Sequence, residues 1–435
     1  MSFFLKGVHV PHLKRTSNLS AVIMTAPEYV YIPTSMHIGA PAEPIVKVGD
    51  SVKVGTLIAE QKGFISSPVH SSVSGTVSEI SDMLLSNGKT SPMIKIESDG
   101  EMKVDESICA PTVNSKEDLI SALKKSGIVG LGGAGFPTYV KFATDKPIDE
   151  LIINGAECEP YITSDSVTMV DRIDDIVYAI DTLVKYTGIK KVIFGIEKNK
   201  PNAINVVKKA LEGKENVEIK TLPTIYPQGA EKVIIYHTTK KVVKIGQLPI
   251  DVGCVVSNSS TVAEIGKYLK TGMPLVERCV TVDGSAVKAP KNVIVPIGTM
   301  LKDVFDFCGG FTEEPKKVLY GGPMMGIAVP NLSAPILKNT NAILAFKQNE
   351  AKSPNATACI KCYACATSCP FGINPVIAAK ALKNNDLVGL EKSGIELCMS
   401  CGCCAFACPA KRPIVQNNKL AKEALLKLRA KEENK

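Results

Sequence analysis

The sequence predicts a multidomain α/β protein: a β-rich N-terminal domain, a middle domain of alternating strands and helices, a β-rich insert and a helical C-terminal domain. Three observations carry this prediction. Residues from about 30 to 100 alternate between apolar and polar positions and are broken by glycines, as short strands are. Residues from about 150 to 270 alternate between short apolar runs and helical periodicity, which is typical of a parallel sheet with helical crossovers. The segment from Cys359 to Cys408 holds nine of the 14 cysteines, in two runs of similar spacing.

The N-terminal domain is predicted from two strand-like stretches. In Val46–Ala59, apolar and polar residues alternate around a Gly-Asp turn, and Ser67–Val77 has a similar strand-like pattern. The region resembles lipoyl and biotinyl carrier domains, which are small β-sandwich hybrids. Their modifiable lysine motif is absent, because the nearest lysine, Lys62, lies in Gln-Lys-Gly, so we predict an unmodified structural domain. Ahead of it, His9 and His12 flank a proline and are predicted to be loop residues instead of metal ligands.

The α/β domain is predicted to open with a helix whose N-cap is Ser115. Leu151–Ile153 follows as a short buried strand. Helices and strands then alternate up to a helix capped within Ser257–Thr261, which implies a mostly parallel sheet with helical crossovers. The elements predicted in between are helices at 173–184, 204–211 and 228–237, and strands at 192–194 and 217–219.

A glycine-rich loop, Gly130–Thr138, lies between the first helix and the first strand of this domain. Its backbone can approach a flat ring or a phosphate, because no Cβ stands in the way. The loop contains G-x-G-x-x-G but follows a helix, so it is not the standard dinucleotide fingerprint, and a plain turn is the alternative. Leu151–Ile153 ends in Asn154–Pro160, which carries two glutamates, and α/β sheets bind ligands at the carboxyl ends of strands. We therefore predict that the two stretches converge on one ligand.

A β-rich insert is predicted from residue 276 onward. Val280–Gly284 and Val293–Thr299 are predicted to be strands, and a helix follows at Leu301–Phe307. The next loop, Gly321–Gly326, contains two methionines that are predicted to pack against apolar neighbours.

The two cysteine runs are the most specific signal in the chain. Each has the spacing C-x2-C-x2-C-x3-C-P, from Cys359 to Pro370 and from Cys398 to Pro409, which is the spacing of two-cluster ferredoxins. Three thiolates of a run hold one cluster, and the fourth, just before proline, reaches the other. Zinc is the alternative, but it prefers two separated Cys or His pairs. The predicted ligands of one [4Fe–4S] cluster are Cys359, Cys362, Cys365 and Cys408, and those of the other are Cys398, Cys401, Cys404 and Cys369.

The rest of the C-terminal domain is predicted to be helical, at 375–382 and 387–397. The tail from 413 to 431 is one amphipathic helix, predicted to pack on the cysteine-rich domain with a solvated basic face instead of touching a membrane. Cys403 is predicted to be unligated, since its neighbours already fill the spacing. The cysteines outside the runs are predicted to be buried thiols: Cys109, Cys158, Cys254, Cys279 and Cys308.

Composition narrows the class of protein. A chain of 435 residues is long enough for about three domains, give or take one. No run of 18 apolar residues exists, so no membrane span is predicted, and the start shows no signal-peptide pattern. Fourteen cysteines without such a signal favour metal ligation in a reducing compartment over disulfides. The formal charge of +8 comes mostly from scattered lysines, a pattern that predicts no nucleic-acid surface. A mild basic excess would favour docking to acidic electron-transfer proteins or to anionic lipid.

Several stretches together resemble known families. Gly130–Thr138 followed by Asn154–Pro160 resembles the flavoprotein subunit of respiratory NADH dehydrogenase. His37–Pro41, Ser67–His70, Tyr226–Lys232 and the paired cysteine runs are similar to the C-subunit family of Rnf complexes, membrane-bound ferredoxin:NAD oxidoreductases that move Na⁺ or H⁺. This second resemblance is the closer one, and it runs through nearly the whole chain.

The resemblance implies a peripheral electron-transfer subunit on the cytoplasmic side of the cell membrane. Its partners would be NAD(H), the other subunits of an Rnf-type complex and, indirectly, a ferredoxin-linked donor. FMN would exchange hydride with NAD(H), and two [4Fe–4S] clusters would pass single electrons, so no side chain need act as an acid or base. The implied domains are a lipoyl-like β-sandwich hybrid at 1–110, a Rossmann-like FMN/NAD(H) domain at 111–275, a β-grasp insert at 276–335 and a two-cluster ferredoxin-like domain at 336–435.

The resemblance also implies roles for individual residues. Lys141 would meet a phosphate, while Glu159 and Glu231 would face the dinucleotide. Asn154, Glu157 and Asn258 would contact FMN. The residues implied to line the flavin and nicotinamide are Gly130, Gly132, Gly133, Gly135 and Phe136.

Three positions depart from the NADH dehydrogenase pattern. Leu131 replaces a usual arginine, Ala156 a usual aspartate, and Ser257 the first asparagine of a pair. Two other functions stay open on the sequence alone. One is a cobalamin reductase of similar architecture, with cob(II)alamin as the one-electron acceptor. The other is a flavin-free electron wire, in which the α/β domain is a scaffold and the clusters are the redox centres.

Overall fold

The computed structural model describes residues 6–86, 88–352 and 354–433. A two-residue strand, β1 (Val22–Ile23), pairs outside the N-terminal domain. That domain contains two antiparallel sheets, in the orders β2-β8-β7-β4 and β3-β5-β6, around a core that includes Ile32, Ile94 and Ile96. Its strands are β2 (Tyr29–Pro33), β3 (Glu43–Pro44), β4 (Ser51–Val52), β5 (Leu57–Glu60), β6 (Val69–His70), β7 (Gly75–Leu84) and β8 (Thr90–Ser98).

The α/β domain contains four parallel strands in the order β11-β10-β9-β12. This confirms the predicted parallel sheet and the order of the predicted helices and strands, although the helix predicted at 228–237 begins at Glu231. The Ser115 hydroxyl accepts a hydrogen bond from the backbone N–H of Asp118, as predicted for an N-cap. The strands are β9 (Glu150–Gly155), β10 (Lys191–Glu197), β11 (Val217–Leu222) and β12 (Cys254–Asn258), and the helices are α1 (Lys116–Lys125), α2 (Thr138–Phe142), α3 (Ser164–Asp171), α4 (Ile173–Thr187), α5 (Pro201–Ala210), α6 (Glu231–Thr239) and α7 (Ser259–Thr271).

The insert forms a mixed six-stranded sheet, in the order β1-β14-β13-β17-β15-β16. It therefore takes one strand from the start of the chain and another, β17, from beyond residue 335, where we placed the domain boundary. Phe305 on the predicted helix is fully buried in its core. The new elements are β13 (Glu277–Asp283), β14 (Lys291–Pro296), α8 (Leu301–Phe307), β15 (Lys317–Tyr320), β16 (Ile327–Val329) and β17 (Ala342–Phe346).

The C-terminal part is helical. The single helix predicted at 387–397 is wrong: the α-helix ends at Lys392, Gly394 adopts φ +72°, and a separate 3-10 turn follows at Ile395–Leu397. The tail helix packs on this part through buried Ala421 and Leu425, as predicted. The helices are α9 (Ala364–Thr367), α10 (Pro375–Lys383), α11 (Leu387–Lys392), α12 (Cys403–Phe406) and α13 (Ile414–Glu433). In the described part of the chain, no helix combines the length and apolar character that crossing a membrane requires.

Two of the polar links between the domains involve lysine side chains. In the N-terminal segment, Val8 exchanges both backbone hydrogen bonds with Tyr226 at 2.9 Å, and Lys14 Nζ donates to the carbonyls of Glu157 and Glu159 at 2.8 Å. The second link is Lys338, which is fully buried and whose Nζ donates to carbonyl oxygens at residues 68 and 127, at 2.6 and 2.7 Å. Burial lowers the pKa of Lys338 to about 7.

Candidate nucleotide site and cysteine groups

The glycine loop is closed at its base and open at its tip. The Gly130 N–H donates to the Phe136 carbonyl at 2.8 Å, and Phe136 is half-buried. A Cβ added to Gly132 would lie 2.6 Å from Asn258 Nδ2, so the loop packs tightly against the end of β12 there. A Cβ added to Gly133 would meet no atom within 4 Å. One face of the loop is therefore free to receive a flat group.

Two other domains hold this loop in place. The Ile38 N–H, from the N-terminal domain, donates to the Gly135 carbonyl at 3.1 Å. From the segment between β16 and β17, Asn339 Nδ2 donates to the Gly133 carbonyl at 3.2 Å. The site thus lies where three parts of the chain meet, as ligand sites often do.

Leu131, which stands where the NADH dehydrogenase pattern has arginine, points into the core and is fully buried. Its backbone N–H donates to Thr261 Oγ1 at 3.0 Å, and Arg278 Nη2 donates to its carbonyl at 3.3 Å. Arg278 is itself buried. The departure from the pattern is therefore accommodated by packing, and the loop backbone is anchored on both sides.

Two asparagines lie side by side at the carboxyl edge of the sheet. Asn154 on β9 pairs in register with Asn258 on β12. Asn154 Nδ2 donates to the Gly229 carbonyl at 2.8 Å, which ties the end of β9 to the loop before α6. Asn258 caps α7 and donates through Nδ2 to Asp165 at 2.7 Å. The structure therefore places the two predicted residues side by side, with Asn258 against Gly132.

Lys141 and Glu231 also meet at this edge. Lys141 Nζ lies 3.4 Å from Glu231 Oε1 and donates to the Val256 carbonyl at 2.7 Å. Glu231 is the first residue of α6, and 46% of its side chain is exposed. An ammonium group beside a helix N-terminus suits an anionic group such as a phosphate.

Both glutamates of the strand-end motif accept hydrogen bonds from other parts of the protein. Glu157 is buried and accepts hydrogen bonds from the Asp165 N–H at 2.7 Å and Ser166 Oγ at 2.9 Å. Glu159 accepts from the backbone N–H groups of Met324 and Met325, at 3.0 and 2.8 Å. Burial raises the pKa of both carboxyls to about 7. Their contacts with FMN and the dinucleotide stay predictions.

The buried carboxylate of Asp165, which the sequence interpretation missed, organises this edge. It accepts hydrogen bonds from Asn258 Nδ2 and, at 2.6 Å, from Ser260 Oγ. The available signal was an acidic residue in the first turn of α3, directly after the strand-end motif. Because Asp165 fixes the side chain that packs on Gly132, it positions the glycine loop indirectly.

The predicted ligand sets define two groups of cysteines, each of which combines residues from both runs. The outer group is Cys359, Cys362, Cys365 and Cys408. Burial raises the pKa of the Cys365 thiol, and the nearby charges of Cys408 and Cys359 add to the rise. Cys365 and Cys408 are buried in one apolar cluster, while Cys359 and Cys362 lie on an exposed loop.

The inner group is Cys369, Cys398, Cys401 and Cys404. Burial raises the pKa of Cys369, and the charges of Cys401 and Cys398 contribute. All four sulfur-bearing residues line one largely apolar cavity. Asn418 Nδ2, from α13, lies 3.8 Å from Cys398 Sγ and 4.0 Å from Cys404 Sγ, close enough to donate to the sulfurs. Among the described residues, no three His, Cys, Asp or Glu side chains converge closely enough to hold a single metal ion.

Tyr226 joins the α/β domain to the inner group. Its hydroxyl donates to the Cys401 carbonyl at 2.7 Å, and Cys403 Sγ lies 3.7 Å from the Tyr226 carbonyl. Cys158 packs into the same apolar cluster. Cys403 is therefore a buried contact residue at the domain junction. No local pattern could have predicted this junction, because Tyr226 and Cys401 are 175 residues apart.

Comparison with known proteins shows the family. The chain is 43% identical over 380 residues to the C-subunit of the proton-translocating ferredoxin:NAD(+) oxidoreductase complex of Clostridium ljungdahlii, covering 86% of this chain and 82% of the relative. It is 40% identical over 436 residues to the C-subunit of the Na(+)-translocating complex of Acetobacterium woodii, covering 98% of each. The chain belongs to this C-subunit family. The resemblance found in the sequence is thereby confirmed, and the chain is a subunit of an NAD-linked oxidoreductase.

Family models place three modules along this C-subunit chain. Residues 2–101 match the RnfC barrel sandwich hybrid domain, residues 123–267 the Nuo51 FMN-binding domain, and residues 279–328 the SLBB domain. The multidomain α/β architecture is thus confirmed. An NAD+-reducing [NiFe]-hydrogenase crystal structure shares the fold, with a TM-score of 0.52 and 18% identity over 73% of this chain and 64% of that one.

Proposed function

We propose that this chain is the peripheral electron-transfer subunit of a membrane-bound, ion-translocating ferredoxin:NAD⁺ oxidoreductase, on the cytoplasmic side of the cell membrane. Its partners would be NAD(H), the other subunits of the complex and, indirectly, a ferredoxin-linked donor. The observation that carries the proposal is the hydrogen bond from Tyr226 to the Cys401 carbonyl, at 2.7 Å. It puts the part of the chain that matches an FMN-binding domain in direct contact with a group of four cysteines.

The glycine-loop site fits FMN. Gly133 opens to free space, Gly132 packs directly on Asn258, and Lys141 lies near the start of α6. When bound, FMN would exchange hydride with NAD(H) and single electrons with iron–sulfur clusters. The residues proposed to bind FMN and NAD(H) are Gly130, Gly132, Gly133, Gly135, Phe136, Lys141, Asn154, Glu157, Glu159, Glu231 and Asn258.

Within this site, the residues play different parts. The glycines would let the backbone approach the ring, and Lys141 would offset phosphate charge. The two asparagines would present amides at the sheet edge. Glu159 would contact the dinucleotide only by exchanging its bonds to the 324–325 backbone, whereas the half-exposed Glu231 would exchange its 3.4 Å ion pair with Lys141.

The outer and inner groups fit two [4Fe–4S] clusters held by a helical ferredoxin-like domain. In a cubane each thiolate binds a different iron, so the sulfurs need not converge on one point. The proximity of Cys408 to Cys365, and of Cys369 to Cys398, supports the crossed ligation. Amide donors such as Asn418 stabilise thiolate charge and tune cluster potential. The inner cluster would lie next to the α/β domain and the outer cluster beyond it.

The proposal is tested by anaerobic purification and cofactor analysis. We expect bound FMN, about eight iron atoms per chain from two cubanes, and NADH oxidation with ferricyanide as an artificial acceptor. Stoichiometric zinc, or one cluster only, would contradict the ligand assignment. Clusters without flavin would instead favour the electron wire. If the chain reduces cob(II)alamin with NADH faster than it supports ferredoxin-dependent NAD⁺ reduction in membranes, the cobalamin reductase would be favoured.

A further inference from the structure

The outer group differs from the inner group in its exposure. The loop Cys359–Tyr363 is solvent-exposed throughout, and it displays two large side chains, Ile360 (67% exposed) and Tyr363 (46% exposed). In the inner group Cys369, Cys401 and Cys404 are buried and Cys398 is half-buried. These two side chains therefore provide apolar contact area directly beside predicted cluster ligands.

The surroundings of this loop are basic. The sequence contains no Asp or Glu from Lys352 to Asn385, nor from Met399 to Lys422. In the whole chain 43 of 435 residues are acidic, about one in ten, so two such stretches mark a local bias. The basic residues within them are Lys352, Lys361, Lys380, Lys383, Lys411, Arg412, Lys419 and Lys422.

Part of this charge borders the exposed loop itself. The Thr357 N–H donates to the Ala410 carbonyl at 3.0 Å, and Arg412 Nη1 donates to the Thr357 carbonyl at 3.2 Å, so segment 410–412 lies against the base of the loop. Lys361 and Lys411 are both exposed, and within the described part of the chain neither ammonium group has an ion-pair partner. Some positive charge offsets the thiolates, but exposed and unpaired ammonium groups also attract an acidic surface.

We propose that the Cys359–Tyr363 loop, with Lys361, Lys411 and Arg412, is the docking face for a redox partner that presents an acidic surface. The partner would be a subunit of the same complex that carries a one-electron centre. One electron would cross this face between that centre and the outer cluster, with no bond made or broken. The inference rests on the proposed function, because it needs the outer group to hold a cluster.

An acidic protein fits this face better than anionic lipid does. A lipid surface offers no electron donor or acceptor, whereas ligand cysteines on an exposed loop let another redox centre approach closely. Ile360 and Tyr363 also provide apolar contact area on either side of Lys361, and apolar area bordered by polar and charged groups is the usual arrangement of a protein–protein interface. The inner group is unsuited to this role, because Tyr226 and Cys403 already cover it.

The test uses the full chain and membranes from a strain that lacks it but retains the other subunits. Rebinding is measured by sedimentation, and function by ferredoxin-dependent NAD⁺ reduction, at several ionic strengths. The double variant Lys361→Glu/Lys411→Glu reverses charge on the face. The matched control, Lys208→Glu/Lys209→Glu, makes the same change on an exposed part of α5. Iron content and NADH oxidation with ferricyanide show whether each protein is loaded and folded.

We expect the face variant to raise the half-saturating concentration for rebinding by roughly tenfold or more at low salt, with the control within about twofold. Rising ionic strength should weaken wild-type rebinding and narrow the difference. A loaded face variant that rebinds like the control overturns the docking face while leaving the clusters intact. Equal loss of binding to protein-free anionic vesicles would assign the face to lipid and also overturn it. Absence of iron from the wild-type chain would refute the proposed function itself.

Discussion

Substitution of Gly133 tests the nucleotide site most directly. A Cβ at this position meets no atom within 4 Å, so Gly133→Val should fold without a clash and change the unfolding free energy by no more than about 0.5 kcal/mol. If the flavin ring lies on this face, the valine methyls would occupy its space. Overpacking of that kind costs about 1–3 kcal/mol, which corresponds to roughly five- to 150-fold weaker FMN binding.

The neighbouring glycine provides a matched control. A Cβ at Gly132 would lie 2.6 Å from Asn258 Nδ2. Gly132→Ala should therefore displace Asn258, which caps α7 and donates to Asp165. Loss of the cap costs about 1 kcal/mol and loss of a hydrogen bond to a charged group about 1.5–3 kcal/mol. This variant should be less stable even when no flavin is bound.

Both effects can be measured on the same preparations. Chemical denaturation of the flavin-free proteins reports stability, fluorescence titration reports the Kd for FMN, and iron content reports the cysteine-rich domain. The expected pattern is a stable Gly133→Val protein with normal iron, weak FMN binding and little NADH oxidation. If Gly133→Val binds FMN as tightly as wild type and oxidises NADH with ferricyanide at the same rate, the flavin lies elsewhere.

The remaining predictions concern links between domains. Cys408→Ser should damage the outer cluster and spare the inner one, whereas the control Cys109→Ser should change neither. Electron paramagnetic resonance after reduction would show which cluster is lost. Loss of the inner cluster alone would contradict the crossed ligation. Glu159→Gln should leave one backbone N–H of the 324–325 pair unsatisfied and lower the unfolding free energy by about 1–3 kcal/mol. Its predicted role implies unchanged FMN binding and weaker NAD(H) binding. An unchanged denaturation midpoint would argue against the loss of stability. Lys338→Met should destabilise the fold by about 1–3 kcal/mol for each carbonyl left unpaired. Since burial lowers the pKa of Lys338 to about 7 from 10.5, the folded state binds fewer protons between those values, so wild-type stability should rise with pH there and the variant should lose that rise.

Local patterns in the sequence predicted most secondary structure. The strand–helix alternation of the α/β domain follows from periodicity and from caps such as Ser115. The helix predicted at 387–397 failed at its end because Gly394, in the left-handed region, breaks it. The insert was predicted as strands, but its sheet also recruits β1 and β17, and pairing with strands so distant in sequence leaves no local signature.

The sequence predicted which residues lie at the candidate site better than it predicted which groups their side chains contact. Motif spacing predicted the glycine loop, the strand end and the cysteine runs. The environment of each side chain depends on partners far along the chain. Lys14 donates a hydrogen bond to the Glu157 carbonyl, Asn339 donates one to the glycine loop, and Tyr226 donates one to the inner group. The sequence therefore showed two glutamates at a strand end, but not that Glu159 would be held by the 324–325 backbone.

The predicted crossed ligation would have a mechanical consequence for electron transfer. Neither run would complete a cluster alone, because Cys408 is predicted to complete the outer group and Cys369 the inner one. With that ligation, a distortion at one cluster would reach the other through α9, α12 and the segments between them. The inner group is fixed to the α/β domain through Tyr226, and that domain's glycine loop is held by residues from two further domains. The exposed outer loop is thus connected through packed elements to the glycine loop, which would keep the distances between redox centres constant while a partner binds and leaves.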